Sequence, residues 1–163
     1  MERRLTRYRD WNAEEAAAII ARHRDVPGAM LPILHALQEA FGCIDREAVP
    51  LIAEALNVSR AEVHGVIGFY HDFREATPGR HVLRLCRAEA CQSMGCEALV
   101  RHAEERLGAK VGETGLGGEF TLEAVYCLGN CALGPAAMLD GELHGRLSPA
   151  GLDQLLAGAR GRP

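Results

Sequence analysis

His81-Val82-Leu83-Arg84-Leu85-Cys86-Arg87-Ala88-Glu89-Ala90-Cys91 decides how the second half of this chain is read. His81 to Leu85 has the composition of a strand, bounded upstream by Thr77-Pro78-Gly79 and closed downstream by Cys86. Four residues separate Cys86 from Cys91. The arrangement recurs further on. Phe120 to Tyr126 reads as a second strand, followed at once by Cys127-Leu128-Gly129-Asn130-Cys131. Each cysteine pair therefore sits on a loop at a strand's end. If the two strands are neighbours in one sheet, the loops face each other and four thiolates surround one small volume.

The rest of the second half supports a layered structure. Glu97 to Leu107 is a helix with Leu99, Val100, Ala103 and Leu107 on one face. Gly112 to Gly118 holds four glycines and reads as a loop or hairpin tip, matching neither GxGxxG nor a P-loop. Ala136 to Leu139 is a short third strand, turned by Asp140-Gly141. Ser148-Pro149 is an N-cap with proline at the first helical position, opening a helix through Leu156. Gly161-Arg162-Pro163 is expected to be a frayed tail. Strand, helix, strand, strand, helix is an α/β order.

The first half has a different period. Asn12 caps a helix from Ala13 to about His23, and Pro27-Gly28 breaks it. Leu31, Leu34, Leu37 and Phe41 line a second helix that Gly42 ends. Asp45 opens a third, with Val49, Ile52, Ala53 and Leu56 on one side and Pro50 forcing a later start or a kink. Ser59-Arg60-Ala61-Glu62 is a capping box ahead of Val63, Val66 and Ile67. Two domains are expected: a helical bundle over 1–77 and a cysteine-bearing α/β domain over 78–163.

Composition narrows the function classes. In 163 residues, 18 Lys and Arg against 22 Asp and Glu give a net charge of −4, without the basic surplus of a nucleic-acid binder. No apolar run is long enough to span a bilayer. Met1-Glu2-Arg3-Arg4 leads into no apolar segment of a secretory leader, so a cytoplasmic location is expected. Six cysteines in a reducing compartment point to metal or redox chemistry rather than disulfides.

Two thiolate pairs suit a [2Fe–2S] cluster, whose two tetrahedral irons each need two protein ligands. Spacings of three and four let the backbone curl around such a group and aim amides at its sulfurs. Ala88, Ala90, Gly95, Gly129, Ala132 and Gly134 keep the neighbourhood small. Structural zinc also takes four cysteines, though its usual knuckle is C-x2-C. A thioredoxin-type C-x-x-C dithiol is absent. Cys96 lies four residues beyond Cys91 and reads as a small buried hydrophobe or an alternative ligand. Cys43 reads as packing. His64, His71 and His81 read as surface or packing residues. Arg84 and Arg87 flank Cys86. They either offset the negative charge of a reduced cluster, meet a partner's acids, or contribute little as exposed charges.

Taken together, Cys86-x4-Cys91 and Cys127-Leu128-Gly129-Asn130-Cys131 resemble the thioredoxin-like [2Fe–2S] ferredoxin family, which includes the 24-kDa-type subunit of respiratory complex I. Leu34-His35-Ala36-Leu37-Gln38-Glu39-Ala40-Phe41-Gly42 with Ile44, and Glu62-Val63-His64-Gly65-Val66-Ile67-Gly68-Phe69-Tyr70, resemble its helical segments. The resemblance implies a thioredoxin-like [2Fe–2S] ferredoxin domain preceded by a small N-terminal helical bundle, with Cys86, Cys91, Cys127 and Cys131 as the cluster ligands. It implies a partner flavoprotein subunit that binds FMN and NAD, and a larger catalytic subunit. His71-Asp72-Phe73-Arg74 and Cys86 to Gly95 look most like the gamma subunit of molybdenum- or tungsten-dependent NAD-linked formate dehydrogenases. Complex I and NAD-linked hydrogenase subunits are the alternatives. A zinc-stabilised interaction module is the alternative from another class. The chain is expected to be an electron-transfer subunit rather than an enzyme complete in itself, with no nucleic-acid partner and no membrane span.

Overall fold

The computed structural model describes residues 8–115 and 117–161. The expectations for Met1 to Arg4 and for the Arg162-Pro163 tail lie outside them. The chain divides into two compact units that meet in sequence at Thr77 and Pro78.

The first unit is four helices: α1 Ala13–His23, α2 Met30–Phe41, α3 Ala48–Leu56 and α4 Arg60–Phe69. Asn12 caps α1 by accepting from the Glu15 amide at 2.9 Å. Gly42, at φ 82°, closes α2 in the left-handed conformation that glycine adopts freely. A Cβ at Gly42 would come within 2.7 Å of the Tyr8 ring, so the close approach also requires glycine. The third helix begins at Ala48, later than the Asp45 start expected from sequence. Asp45 instead accepts from the Glu47 amide at 2.8 Å in the preceding turn. That start puts Pro50 in the first turn, where a missing N–H breaks no intrahelical bond. The Ser59 capping box forms in full: Glu62 donates its amide to Ser59 Oγ, and its carboxylate accepts from the Ser59 amide. Ile19, Ile33, Leu34, Leu37, Ile52 and Val63 form the centre of the bundle's core. Of the three aromatic residues at the end of the unit, Phe73 is buried. Phe69 and Tyr70 are exposed.

The second unit is a four-stranded sheet with three helices: β1 His81–Cys86, α5 Glu89–Ser93, α6 Cys96–Leu107, β2 Phe120–Val125, β3 Ala137–Leu139, β4 Glu142–His144 and α7 Pro149–Arg160. Strand order is β2-β1-β3-β4. β1 and β2 run parallel, as a strand-helix-strand crossover requires, and the other pairings are antiparallel. Leu83, Leu85, Leu122 and Leu139 point to one face and pack with Leu99, Ala103, Leu152 and Leu156 of α6 and α7. Arg84 and Glu123 are directly opposed across β1 and β2 and pair at 2.8 Å.

Three features differ from the sequence reading. α5 and β4 are additional elements, too short for a periodic signal. α7 runs to Arg160 rather than Leu156, because Ala159 also faces the core. Asp140 takes φ 51° at the β3–β4 turn and accepts from the Val82 amide and the His81 ring, at 2.9 and 2.6 Å. His81 is accordingly buried, whereas His64 and His71 are exposed. Among the described residues no helix is long and apolar enough to cross a membrane.

Two stability experiments follow. Ile52→Ala should destabilise the bundle by about 2–5 kcal/mol, because a fully enclosed side chain leaves a cavity. Ser59→Ala should lower the urea midpoint at neutral pH. The capping box holds the Glu62 carboxyl below its ordinary range, so this stabilisation is present above that range and fades as pH falls through the lowered value. The Ser59→Ala penalty should therefore shrink in acid, read from urea midpoints across pH.

Candidate functional site

β1 and β2 leave the sheet in the same direction, with Cys86 in register with Val125. The loops that follow them consequently open at one sheet end. The Cys86 amide donates to the Ala136 carbonyl at 3.0 Å, and the Arg87 amide to the Val125 carbonyl at 2.8 Å. Cys86 is thus tied to the segments on both sides of β1.

Cys91 sits in α5, which packs against the 3₁₀ turn Cys131–Leu133. The next residue after that turn, Gly134, passes so close that a Cβ there would lie 3.6 Å from Cys91 Sγ. The Gly134–Pro135 peptide is cis. These contacts close the two loops on each other and bring Cys86, Cys91, Cys127 and Cys131 into one neighbourhood. Cys86 and Cys91 are buried, while Cys127 and Cys131 are exposed. A group held between the pairs is shielded by protein on one side and faces solvent on the other.

The sulfurs stand as pairs. Cys127 Sγ and Cys131 Sγ are 3.7 Å apart. Two sulfurs on one tetrahedral metal at about 2.3 Å are about 3.8 Å apart, so this pair is set for a single metal. The Cys91 thiol is pushed up by burial and then by its hydrogen bond with Cys86. Cys131 is pushed up by its hydrogen bond with Cys127, and the charge of Cys86 reaches it too. Among the described residues, no three His, Cys, Asp or Glu side chains converge as a mononuclear metal site needs. Paired thiols suit a two-metal group that takes one pair on each metal.

Two backbone amides already point at sulfur. Gly129 donates to Cys127 Sγ at 3.3 Å, and the Cys127 thiol is held below its ordinary value by that bond and by Cys131. The Ala136 amide hydrogen-bonds to Cys91 and favours its thiolate. Cys127 has φ 149°, a conformation that costs a non-glycine residue about 1–3 kcal/mol and concentrates at functional sites.

Cys96 is the first residue of α6. It is buried in one cluster with Cys86, Cys91 and Ala136, and burial pushes its thiol up. Cys43 lies in the helical unit, 3.6 Å from the Thr77 hydroxyl. Arg84 is paired with Glu123, and Arg87 forks onto Glu97 at 2.9 and 3.0 Å.

Sequence reasoning missed two supporting residues. Ala136 supplies both a carbonyl to Cys86 and an amide to Cys91, through backbone groups that no residue type announces. Gly145 backs the Cys131 turn, and a Cβ there would fall 2.8 Å from the Leu133 carbonyl and 2.7 Å from Asn130 Nδ2. Gly145 follows Cys131 by fourteen residues, outside any cysteine motif.

The chain is similar to known proteins over most of its length. The sequence model described as thioredoxin-like [2Fe–2S] ferredoxin matches residues 16–160. The chain is 36% identical over 134 residues to the E subunit of the NADH-quinone oxidoreductase of Pseudomonas aeruginosa, covering 82% of this chain and 81% of that one. It is 37% identical over 147 residues to the E 2 subunit of the NADH-quinone oxidoreductase of Rhizobium meliloti, covering 90% and 88%. It is 29% identical to the HndA subunit of the NADP-reducing hydrogenase of Solidesulfovibrio fructosivorans, covering 80% and 76%. The fold is also that of part of a solved NAD+-reducing [NiFe]-hydrogenase. There the TM-score is 0.70 at 24% identity, with 85% of this chain and 24% of that longer chain covered.

Gly145→Ala should displace the Cys131 turn. The expected result is a folded protein with lowered iron and acid-labile sulfide per chain. Gly158→Ala, where a Cβ meets nothing within 4 Å, is the control that should keep both.

Proposed function

This chain belongs to the thioredoxin-like [2Fe–2S] ferredoxin family and has a [2Fe–2S] cluster as its cofactor, and from that premise we propose that Cys86, Cys91, Cys127 and Cys131 hold it. The observation that carries the assignment is the meeting of two thiol pairs at the end of the parallel β1–β2 pair. The bound cluster supplies a one-electron donor and acceptor. The protein's own groups prepare that chemistry. The Gly129 and Ala136 amides set positive dipole ends against Cys127 and Cys91, offsetting negative charge at the sulfurs. The exposed pair, Cys127 and Cys131, lies on the side from which a partner's redox group can approach.

The protein is an electron-transfer subunit that exchanges single electrons with the FMN of a partner NAD-binding flavoprotein subunit. Its relatives are subunits of NADH-quinone oxidoreductases and of an NADP-reducing hydrogenase, over most of both lengths. The parent complex is a molybdenum- or tungsten-dependent NAD-linked formate dehydrogenase, with this chain as its gamma subunit. The support is the likeness of Cys86-Arg87-Ala88-Glu89-Ala90-Cys91-Gln92-Ser93-Met94-Gly95 to that subunit's first cysteine loop. A second reading, the role of the E subunit in an NADH-quinone oxidoreductase, is favoured by the 36% and 37% identities to such subunits.

The ligand assignment is tested by single substitutions. Cys86→Ala, Cys91→Ala, Cys127→Ala and Cys131→Ala should each abolish the normal visible absorption. Cys43→Ala should keep it. Dithionite should bleach the wild type and give one spin-half signal of about one spin per chain. A colourless protein with stoichiometric zinc would overturn the assignment. Affinity purification from native cells tests the parent complex. Formate-dependent NAD reduction by the captured complex supports the formate dehydrogenase reading, and NADH-quinone activity without formate activity supports the second.

A further inference from the structure

Arg87 is anchored in three ways between Cys86 and Cys91. Its amide donates to Val125 of β2, its carbonyl accepts from Gln92 Nε2 at 2.9 Å, and its guanidinium makes a two-pronged bond to Glu97. Glu97 is the second residue of α6. Its carboxylate also lies 4.0 Å from the buried Cys96 sulfur, which shares one cluster with Cys86 and Cys91. The pair therefore joins the first cysteine loop to the start of α6 and places two opposite charges beside the buried half of the site. Its side chains are 32% and 42% exposed, so solvent screens the pair only in part.

The field of an ion pair falls off faster with distance than that of either charge alone. While the fork is intact, a group at the cysteines meets almost no net charge from Arg87 and Glu97. Removing one member leaves the other bare at the same place. The remaining nearby charges on α6, Arg101 and Glu104, interact electrostatically with Glu97 and Arg87 respectively and are unchanged in every variant below.

We propose that the Arg87–Glu97 fork is a charge-neutral clamp that holds the Cys86–Cys91 loop on α6 and keeps the charge of either residue from shifting the reduction potential of the cluster. Both are positioning residues. The proposal rests on the ligand assignment above. Reduction adds one negative charge to the cluster. A bare Arg87 favours that charge and a bare Glu97 opposes it.

The test is the midpoint potential of the full-length protein, read from the visible spectrum in a mediated titration with dithionite, together with iron content. Glu97→Gln should shift the potential upward, and Arg87→Gln should shift it downward. The double variant should return close to wild type. A purely structural tie would move both single variants the same way. Equal, absent or same-direction shifts overturn the proposal. If Arg87→Gln assembles no cluster, Glu97→Gln decides: a rise supports the clamp, and no shift or a fall overturns it. Loss of the cluster in both single variants overturns the electrostatic role and leaves a structural tie. Failure of the ligand assignment is separately visible, as cluster retained in the Cys→Ala variants.

Discussion

The parallel pairing of β1 with β2 is the constraint on which the site depends. Cys86 and Val125 are in register at the ends of these strands, so the two cysteine loops start side by side and run in the same direction. An antiparallel pairing would send the loops to opposite ends of the sheet. The parallel arrangement needs a crossover, and α6 supplies it by burying Leu99, Val100, Ala103 and Leu107 against the sheet. The same helix begins at Cys96 and Glu97, beside the site. One element therefore fixes both the strand order and one wall of the cysteine neighbourhood.

Backbone groups do much of the positioning. Ala136 hydrogen-bonds to both Cys86 and Cys91, and Gly129 to Cys127. Small residues permit these approaches, and at Gly145 the space is already filled by Leu133 and Asn130. The thiol pairs differ in environment: one is buried, and the other meets solvent. Such asymmetry suits a protein that must shield a redox group and still pass an electron to a partner.

Much was legible in the sequence because its signals are local. The Asn12 and Ser59 caps, the Gly42 stop and the leucine and isoleucine spacing each act within one or two helical turns, and they appear where the residues put them. Proline was harder to read. Whether Pro50 breaks a helix depends on its distance from the start, which the Asp45 turn decides. Phe69 and Tyr70 are exposed in their own unit although they follow directly on the apolar face of α4.

By itself the sequence determined the longer helices and strands and their order, and the two cysteine pairs with their spacing. Those features follow from side-chain periodicity, capping chemistry and short-range loop closure. Only the tertiary structure decided that β1 is central, with β2 on one side and β3 on the other, and that Gly134 brings the second loop against Cys91. It likewise decided that Arg87 is engaged by Glu97, and that Ala136 and Gly145 support the cysteines. These contacts join residues well separated along the chain or use backbone amides common to every residue. They arise from packing the sheet, its helices and its loops together, and no local pattern records them.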